Sequence, residues 1–155
     1  MVPNLMRGLA NSPSALNAYL QFSATLAQGV LPAKTREQIS LSVGEANDCG
    51  YCVAAHSALG KMSGLNAEQI DEARKGTATD PKTNAILRFS RKIVEARGHV
   101  SNDDISALRA AGANDAEIVE VVTNVALNIF TNYFNHVAET VIDFPKVEPL
   151  AGARI

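Results

Sequence analysis

The amino-acid sequence predicts an all-helical protein. Helix start and stop signals recur along the 155-residue chain, and no segment combines sustained apolar/polar alternation with a hairpin turn. Tryptophan is absent and aromatic residues make up only 5% of the chain, a composition that suits closely packed helices better than a sandwich of strands. We expect one domain over residues 1–155 with its own hydrophobic core.

The predicted helices begin at residues that cap or open helices. Asp80 followed by Pro81 combines a capping side chain with a proline at the first helical position, and Ser101 with Asp104 resembles a capping box. Other expected starts are Ser12-Pro13, Pro32, Asp48, Asn66 and Asn114. The expected helices span about 14–28, 33–47, 49–62, 66–76 and 81–97, then one opened at 101 and a long one from 114 to 143–145.

The residues able to do chemistry concentrate in one stretch of the chain. We define this redox core as about 30–62, and no internal repeat or low-complexity stretch accompanies it. The tail over about 145–155 carries Pro149 and Gly152. We expect this tail either to wrap around a neighbouring subunit or to remain loose.

Charge and hydropathy argue against several classes of partner. The formal net charge of −2 does not favour nucleic acid or an anionic membrane. The start of the chain lacks a basic segment followed by an uninterrupted apolar run, so we expect no signal peptide. No stretch approaches the roughly eighteen apolar residues of a spanning helix. Two cysteines do not make a disulfide framework, and we expect a cytoplasmic protein.

The two cysteines of the chain form a compact motif with a histidine. Cys49 and Cys52 are two residues apart, so they can close a small disulfide ring, and His56 follows four residues after Cys52. Positions i and i+4 of a helix share a face, so the imidazole of His56 can reach the Cys52 sulfur. An imidazole beside a thiol favours the thiolate, which is the form that attacks disulfides and peroxides. This pattern indicates a redox site.

Physical effects disagree about which sulfur attacks. If Asp48 is the cap, Cys49 lies in the first helical turn, where the helix dipole favours a thiolate, but the charge of Asp48 opposes that ionisation. His56 can take the proton of Cys52 and later protonate a leaving alkoxide. We therefore expect Cys52 to attack and Cys49 to resolve the intermediate.

The base should itself be oriented by a third group. Glu37 and Glu45 both precede the motif and are both candidates. A break in the helix near residue 47 removes the constraint of a continuous helix, so spacing alone does not choose between them.

Two other interpretations of the cysteines remain open. They can be buried structural residues, because free cysteine packs as a small hydrophobe. They can also bind zinc together with His56 and either His99 or His136, although no second ligand cluster accompanies them. The corresponding alternative functions are a general disulfide oxidoreductase and a zinc- or ligand-binding assembly module. We expect no metal and no other cofactor.

The motif resembles a known family. The matching segments are residues 31–37 (LPAKTRE), 41–43 (LSV), 47–52 (NDCGYC) and His56. Together they resemble the alkylhydroperoxidase D (AhpD-like) core of the carboxymuconolactone decarboxylase superfamily. The segments 132–136 and 143–145 are similar to the ending of small members.

The resemblance implies a fold, an activity and residue roles. It implies an all-helical protomer in a homotrimer or a hexamer, and thiol-dependent reduction of organic hydroperoxides without haem, flavin or metal. It assigns the peroxidatic role to Cys52, the resolving role to Cys49 and the orientation of His56 to Glu37, which therefore outranks Glu45. We expect a protein dithiol or dihydrolipoyl-type donor as reductant.

The sequence departs from the family at one position of the motif. The best-studied members carry a histidine just before the second cysteine, where this chain has Tyr51. A phenol is largely un-ionised near neutral pH and cannot replace a titrating imidazole. Lactone decarboxylation is not implied, because true carboxymuconolactone decarboxylases lack the cysteine pair.

A polar stripe marks the last predicted helix. Its members recur every three or four residues: Asn124, Asn128, Asn132, Asn135, His136 and Glu139. Asparagine is a middling helix former, so its repeated use suggests a hydrogen-bonding task. One interpretation is that Asn132 or His136 lines the thiol pocket or a subunit contact. The alternative is a solvated helix face.

Overall fold

The computed structural model describes residues 2–150 and confirms the all-α prediction, since no β-strand occurs in that range. The helices are α1 Asn4–Leu9, α2 Pro13–Leu26, α3 Ala33–Ala46, α4 Gly50–Met62, α5 Ala67–Arg74, α6 Pro81–Glu95, α7 Asn102–Ala110 and α8 Asp115–Val137. None of the helices in this range is both long enough and apolar enough to cross a lipid bilayer.

Five of the predicted helix starts carry a side-chain cap. In each, the capping oxygen accepts a hydrogen bond from the backbone N–H three residues later, at Ser12, Asn66, Asp80, Ser101 and Asn114. These bonds satisfy N–H groups that have no partner within the helix. The caps hold the pKa of Asp80 and Asp104 below their ordinary values, because backbone N–H groups donate to the charged carboxylates.

Helix α3 lies at the centre of the fold. It packs against α4, α5, α6 and α8, and its Ile39, Leu41 and Val43 are fully buried. Around it lies the larger apolar cluster, which we call the main core: Leu31, Ile39, Leu41, Val43, Leu65, Ile70, Ala73, Ile86, Leu87, Phe89, Ile93, Leu108, Ala113, Val121 and Val125. Apolar burial of this kind is the dominant stabilising term in folding.

A second apolar cluster contains both cysteines. We call it the thiol cluster, and its buried members are Leu5, Leu9, Cys49, Tyr51, Cys52 and Ala55. Side chains from α2, from the end of α8 and from the segment after α8 pack against it, including Leu16, Phe134 and Phe144. The two ends of the described chain therefore meet over the cysteines.

The structure corrects three expectations about the ends of the chain. Helix α1 was not predicted, because its N-cap Pro3 offers no side-chain hydrogen bond. Helix α8 ends at Val137 rather than at 143–145, since Glu139 turns the chain with a φ of 45°. The tail contacts its own chain at residue 148 and is not loose there: Arg74 Nη2 donates to the Glu148 carbonyl at 2.9 Å. Residues 151–155 lie outside the described part.

Candidate active site

The site is built on the first turn of α4, and its cap differs from the prediction. Cys49, not Asp48, is the N-cap: its Sγ accepts a hydrogen bond from the Cys52 backbone N–H at 3.4 Å. Asp48 lies in the preceding turn with a φ of 53°, so its side chain does not cap the helix. The Cys49 sulfur thus occupies the position where the helix dipole favours negative charge.

The two thiols share a hydrogen bond in a buried environment. Cys49 is 1% exposed and Cys52 is 3% exposed. The thiol of Cys52 donates to the Cys49 sulfur, which lowers the pKa of Cys49 to about 7 against the opposing effect of burial. The same hydrogen bond, together with burial and the charge of Cys49, raises the pKa of Cys52 well above its ordinary value. Negative charge is therefore favoured on Cys49 over Cys52.

The structure shows which group His56 contacts, and its expected effect on the ionisation of Cys52 stays a prediction. His56 directs Nδ1 to Glu37 Oε2 at 2.8 Å, and no hydrogen bond joins His56 to either sulfur within residues 2–150. Both side chains of this pair are about one-fifth exposed. The carboxylate orients the imidazole, as the resemblance implied for Glu37.

The second candidate glutamate serves a different contact. Glu45 Oε2 accepts from Nε of Arg74 at 2.9 Å, and Arg74 is buried. A buried guanidinium needs a charged partner, because an unpaired buried charge is costly. The structure thus places Glu37 on the histidine and Glu45 on an ion pair between α3 and α5.

Tyr51 ties both ends of the described chain to the thiol motif. Its hydroxyl accepts from the Leu5 backbone N–H at 3.1 Å and lies near the Asp143 carboxylate, which acts to raise its pKa. Asp143 Oδ2 in turn accepts from the Asn4 backbone N–H at 2.9 Å, so the two side chains together cap α1. The Tyr51 ring meets that of Phe144 edge to face, with centroids 5.7 Å apart. Burial raises the pKa of Tyr51 to about 12, so this phenol remains neutral.

The polar stripe of α8 divides into a buried and an exposed part. The four asparagines are buried, whereas His136 and Glu139 are exposed, so the interpretation as a solvated face fails for the asparagines. Asn135 Nδ2 donates to Cys52 Sγ at 3.2 Å, and Asn132 Oδ1 accepts from Asn47 Nδ2 at 2.8 Å. Electrostatic interaction with His136 helps lower the pKa of Cys49. The sequence analysis named Asn135 as a member of the stripe but not as a residue of the thiol pocket. Its position about one helical turn after Asn132 was the signal for that role.

A small polar cavity adjoins the histidine. Its volume is about 180 Å³, and its lining includes Glu37, His56, Tyr19, Arg36 and Asn128. Burial raises the pKa of Tyr19, with further contributions from the charges of Cys52 and Glu37, so its phenol lies near both groups. Neither cysteine is among the residues that line the cavity, and Tyr19 connects it to the surroundings of Cys52. Tyr19 was not anticipated, because only the fold brings α2 to this position.

Other features of the structure lie apart from the thiols. A larger cleft of about 730 Å³ is lined by the segment directly after α5 and by α6 and α7. It shares no lining residue with the thiol cluster. Residues 2–150 contain no group of three or more His, Cys, Asp or Glu side chains arranged to hold a metal ion. The zinc interpretation required Cys49, Cys52 and His56 to converge with His99 or His136, and the structure does not show that convergence.

A match over more than half of the chain shows its family. Residues 13–96, which include Glu37, both cysteines and His56, match the carboxymuconolactone decarboxylase family. The chain belongs to this family. No curated protein sequence matches it.

Solved structures of similar fold include peroxidase-related proteins and a debrominase. An uncharacterized peroxidase-related protein from Ralstonia eutropha JMP134, described as an alkylhydroperoxidase AhpD core, is 26% identical with a TM-score of 0.85, over 92% of this chain and 78% of that one. A peroxidase-related protein from Silicibacter sp. TM1040 is 24% identical with a TM-score of 0.82, over 91% and 76%. The debrominase Bmp8 in complex with 2,3,4-tribromopyrrole is 17% identical with a TM-score of 0.82, over 92% and 78%. The resemblance to AhpD-like proteins is thus confirmed, while the debrominase shows that the activity must be argued from the site.

Proposed function

We propose that this protein is a thiol-dependent peroxidase that reduces organic hydroperoxides, and hydrogen peroxide, by cycling Cys49 and Cys52 between dithiol and disulfide. The observation that carries the proposal is the pair of buried, hydrogen-bonded cysteines at the start of α4, followed on the same helix by a histidine that Glu37 orients. A peroxidase of this type needs a thiolate, a proton donor for the leaving oxygen and a second thiol.

The attack on the hydroperoxide uses Cys52, which lies about one helical turn before His56 on α4. The shared proton first moves from Cys52 to Cys49 within their hydrogen bond, so the negative charge transfers to Cys52. The Cys52 thiolate then attacks the terminal peroxide oxygen: the S–O bond forms, the O–O bond breaks and an alkoxide leaves. The imidazolium of His56, stabilised by the Glu37 carboxylate, protonates the alkoxide to the alcohol.

The second half of the cycle regenerates the pair. The Cys49 thiol condenses with the Cys52 sulfenic acid, so that the S–S bond forms and water leaves. A protein dithiol or dihydrolipoyl-type donor supplies the two electrons and two protons that restore the thiols. Because such donors keep thiols reduced in the cytoplasm, we place the protein there.

The dimensions of the cavity favour small substrates. Its volume of about 180 Å³ lies below the 300–1,000 Å³ typical of pockets for drug-sized ligands. Its walls are largely polar, with hydroxyl, amide and guanidinium groups from Tyr19, Asn128 and Arg36. We infer that short, polar hydroperoxides react faster than bulky aromatic ones, and comparing kcat/KM for tert-butyl and cumene hydroperoxide checks this order.

The test of the proposed function is hydroperoxide consumption with a dithiol donor. Cys52→Ser should reduce consumption to background. Cys49→Ser should allow a single turnover and leave a Cys52 sulfenic acid that dimedone traps and peptide mass spectrometry locates. Peroxide consumption by Cys52→Ser at the wild-type rate would show that the assigned mechanism is wrong. So would a first product in which dimedone is bound to Cys49 of the wild-type protein.

A second candidate function has one observation in its favour. Cys49 caps α4 and has a pKa of about 7, which is the environment of the attacking thiol in disulfide oxidoreductases. A general disulfide oxidoreductase would reduce protein disulfides through a mixed disulfide at Cys49 and would form no sulfenic acid with peroxides. Insulin reduction measured beside peroxide consumption separates the two activities.

We also propose that the protein self-associates as a homotrimer or hexamer. Helix α2 carries no charged residue and none of its residues is buried, which is unusual for the surface of a monomer. Leu20 and Phe22 on α2 and Val122 and Phe130 on α8 are exposed, and α2 packs on α8. A second copy of the chain is the natural cover for such an uncharged surface. Light scattering of the wild type and of Phe22→Lys should show an assembly and its loss, whereas a monomeric wild type would refute the proposal.

A further inference from the structure

The proposed reaction requires negative charge on Cys52, and most of its surroundings oppose that charge. Burial and the charge of Cys49 both raise the pKa of Cys52. Nδ1 of His56 is engaged by Glu37 and is not directed at the sulfur. Other groups must therefore stabilise the thiolate when the shared proton leaves Cys52.

Two asparagines of α8 meet this requirement. Asn135 Nδ2 donates to the Cys52 sulfur at 3.2 Å, and the hydrogen bonds of Asn135 and Asn132 both act to lower the pKa of Cys52. Asn135 is 4% exposed and Asn132 is fully buried. Amide N–H groups that donate to a buried anion form charge-assisted hydrogen bonds, which are stronger than neutral ones.

The orientation of Asn132 is fixed by a second amide. Asn47 Nδ2 donates to Asn132 Oδ1 at 2.8 Å, which assigns the oxygen of Asn132 to Asn47 and leaves its NH2 group for the thiol side. Asn132 Nδ2 is buried and has no hydrogen-bond partner within residues 2–150. A buried donor left without a partner is costly, so its retention needs an explanation.

The asparagines one and two turns earlier provide an internal contrast. Asn124 and Asn128 donate their NH2 groups to the backbone carbonyls four residues before them, at 2.7 and 2.8 Å. Asn132 and Asn135 make no such bond to their own helix. The hydrogen-bonding direction thus changes along α8 where the helix reaches the thiols.

We propose that Asn132 and Asn135 form an amide cradle that stabilises the Cys52 thiolate and so makes Cys52 competent to attack. The proposal rests on the assignment of Cys52 as the attacking thiol. Asn135 touches the reacting sulfur directly, and Asn47 acts as a positioning residue through Asn132.

The test isolates Cys52 in a Cys49→Ser background, where the serine keeps a capping oxygen for α4. The thiolate absorbance at 240 nm, followed against pH, gives the pKa of Cys52 alone. Adding Asn135→Ala or Asn132→Ala should raise that pKa by about one unit, which is about tenfold less thiolate at a given pH. Tyr19 and Glu37, which are titratable groups near Cys52, are retained in these variants, so they do not account for a difference in its pKa. The single-turnover rate with tert-butyl hydroperoxide at fixed pH should fall by a similar factor.

Controls separate the cradle from a general effect on α8. Asn128→Ala removes a buried amide one turn away and should leave the pKa of Cys52 unchanged. If an alanine variant does not fold, Asn135→Asp keeps the shape but replaces the donor with an acceptor, and it should raise the pKa further. An unchanged Cys52 pKa in the folded variants would overturn the cradle. Raised pKa values without any peroxide consumption would keep the cradle and refute the proposed function.

Discussion

The main core and the thiol cluster are assembled in different ways. The main core draws on residues 31–125 and surrounds α3, so every helix from α3 to α8 except α4 contributes a buried member. The thiol cluster joins the first turn of α4 to α1 and to the segment after α8. We call α1 and the segment after α8, which lie over the cysteines, the cover, and we call the main core with its helices the frame. Segments at chain ends open locally at lower free energy than a central core, so we expect the cover to open while the frame stays folded.

The largest expected effect on stability comes from the main core. Leu87→Ala removes a fully buried side chain and should lower the free energy of unfolding by about 3 kcal/mol, measured by urea denaturation. The matched variant Leu9→Ala lies in the thiol cluster and should cost about 2 kcal/mol, while thiol alkylation of the folded protein becomes faster. Equal alkylation rates in the two variants would contradict the division into frame and cover.

The two glutamates of α3 should separate catalysis from stability. Glu37→Gln weakens the orientation of His56, and we expect kcat/KM for tert-butyl hydroperoxide to fall about 10- to 100-fold with little change in Tm. Glu45→Gln leaves the buried Arg74 without its carboxylate, so Tm should fall more than activity. The reverse pattern would assign Glu45 to the reaction.

The Tyr51 hydroxyl gives a finer test of the cover. Tyr51→Phe keeps the ring contact with Phe144 but removes the acceptor of the Leu5 N–H. We expect a loss of about 1–2 kcal/mol in unfolding free energy and several-fold faster alkylation of the cysteines. Unchanged alkylation would mean that α1 does not control access to the thiols.

The pH dependence tests how the charge is distributed. Because the pKa of Cys49 is lowered to about 7 and that of Cys52 is raised, one thiolate should appear at 240 nm as pH rises through about 7, and the second only far higher. Peroxide consumption should rise with pH through the same midpoint, since the pair loses its charge below it. Cys52→Ala removes the S–H donor, so the Cys49 midpoint should move upward. Two thiolates with a common midpoint near 9 would contradict the shared proton.

The sequence predicted those features whose cause is local. Caps such as Asn66 and Ser101 bond to backbone three residues away, so their helices begin where expected. The pairing of Glu37 with His56 came from the family resemblance, because spacing left Glu45 equally possible. The sequence analysis expected the imidazole to favour a Cys52 thiolate, and it did not foresee that the neighbouring Cys52 lowers the pKa of Cys49.

The missed features depend on contacts between distant segments. Helix α1 is capped by Tyr51 and Asp143, which no local pattern reveals. Asp48 fails as a cap because the turn before α4 is left-handed at that residue. The buried role of the α8 asparagines depends on the packing of α8 against α4, so the stripe looked equally compatible with solvent.

The sulfur at the beginning of α4 has a consequence for the oxidised protein. When Cys49 enters a disulfide, the helix loses an anion at its positive end and keeps only a weak, neutral sulfur as the acceptor of the Cys52 N–H. The backbone at that end should therefore loosen on oxidation, and Tyr51, which holds α1, belongs to the same turn. Amide hydrogen exchange should accordingly be faster in the disulfide form than in the dithiol form at Tyr51, Cys52 and Leu5. The oxidation state of the cysteine pair would then control the opening of the cover.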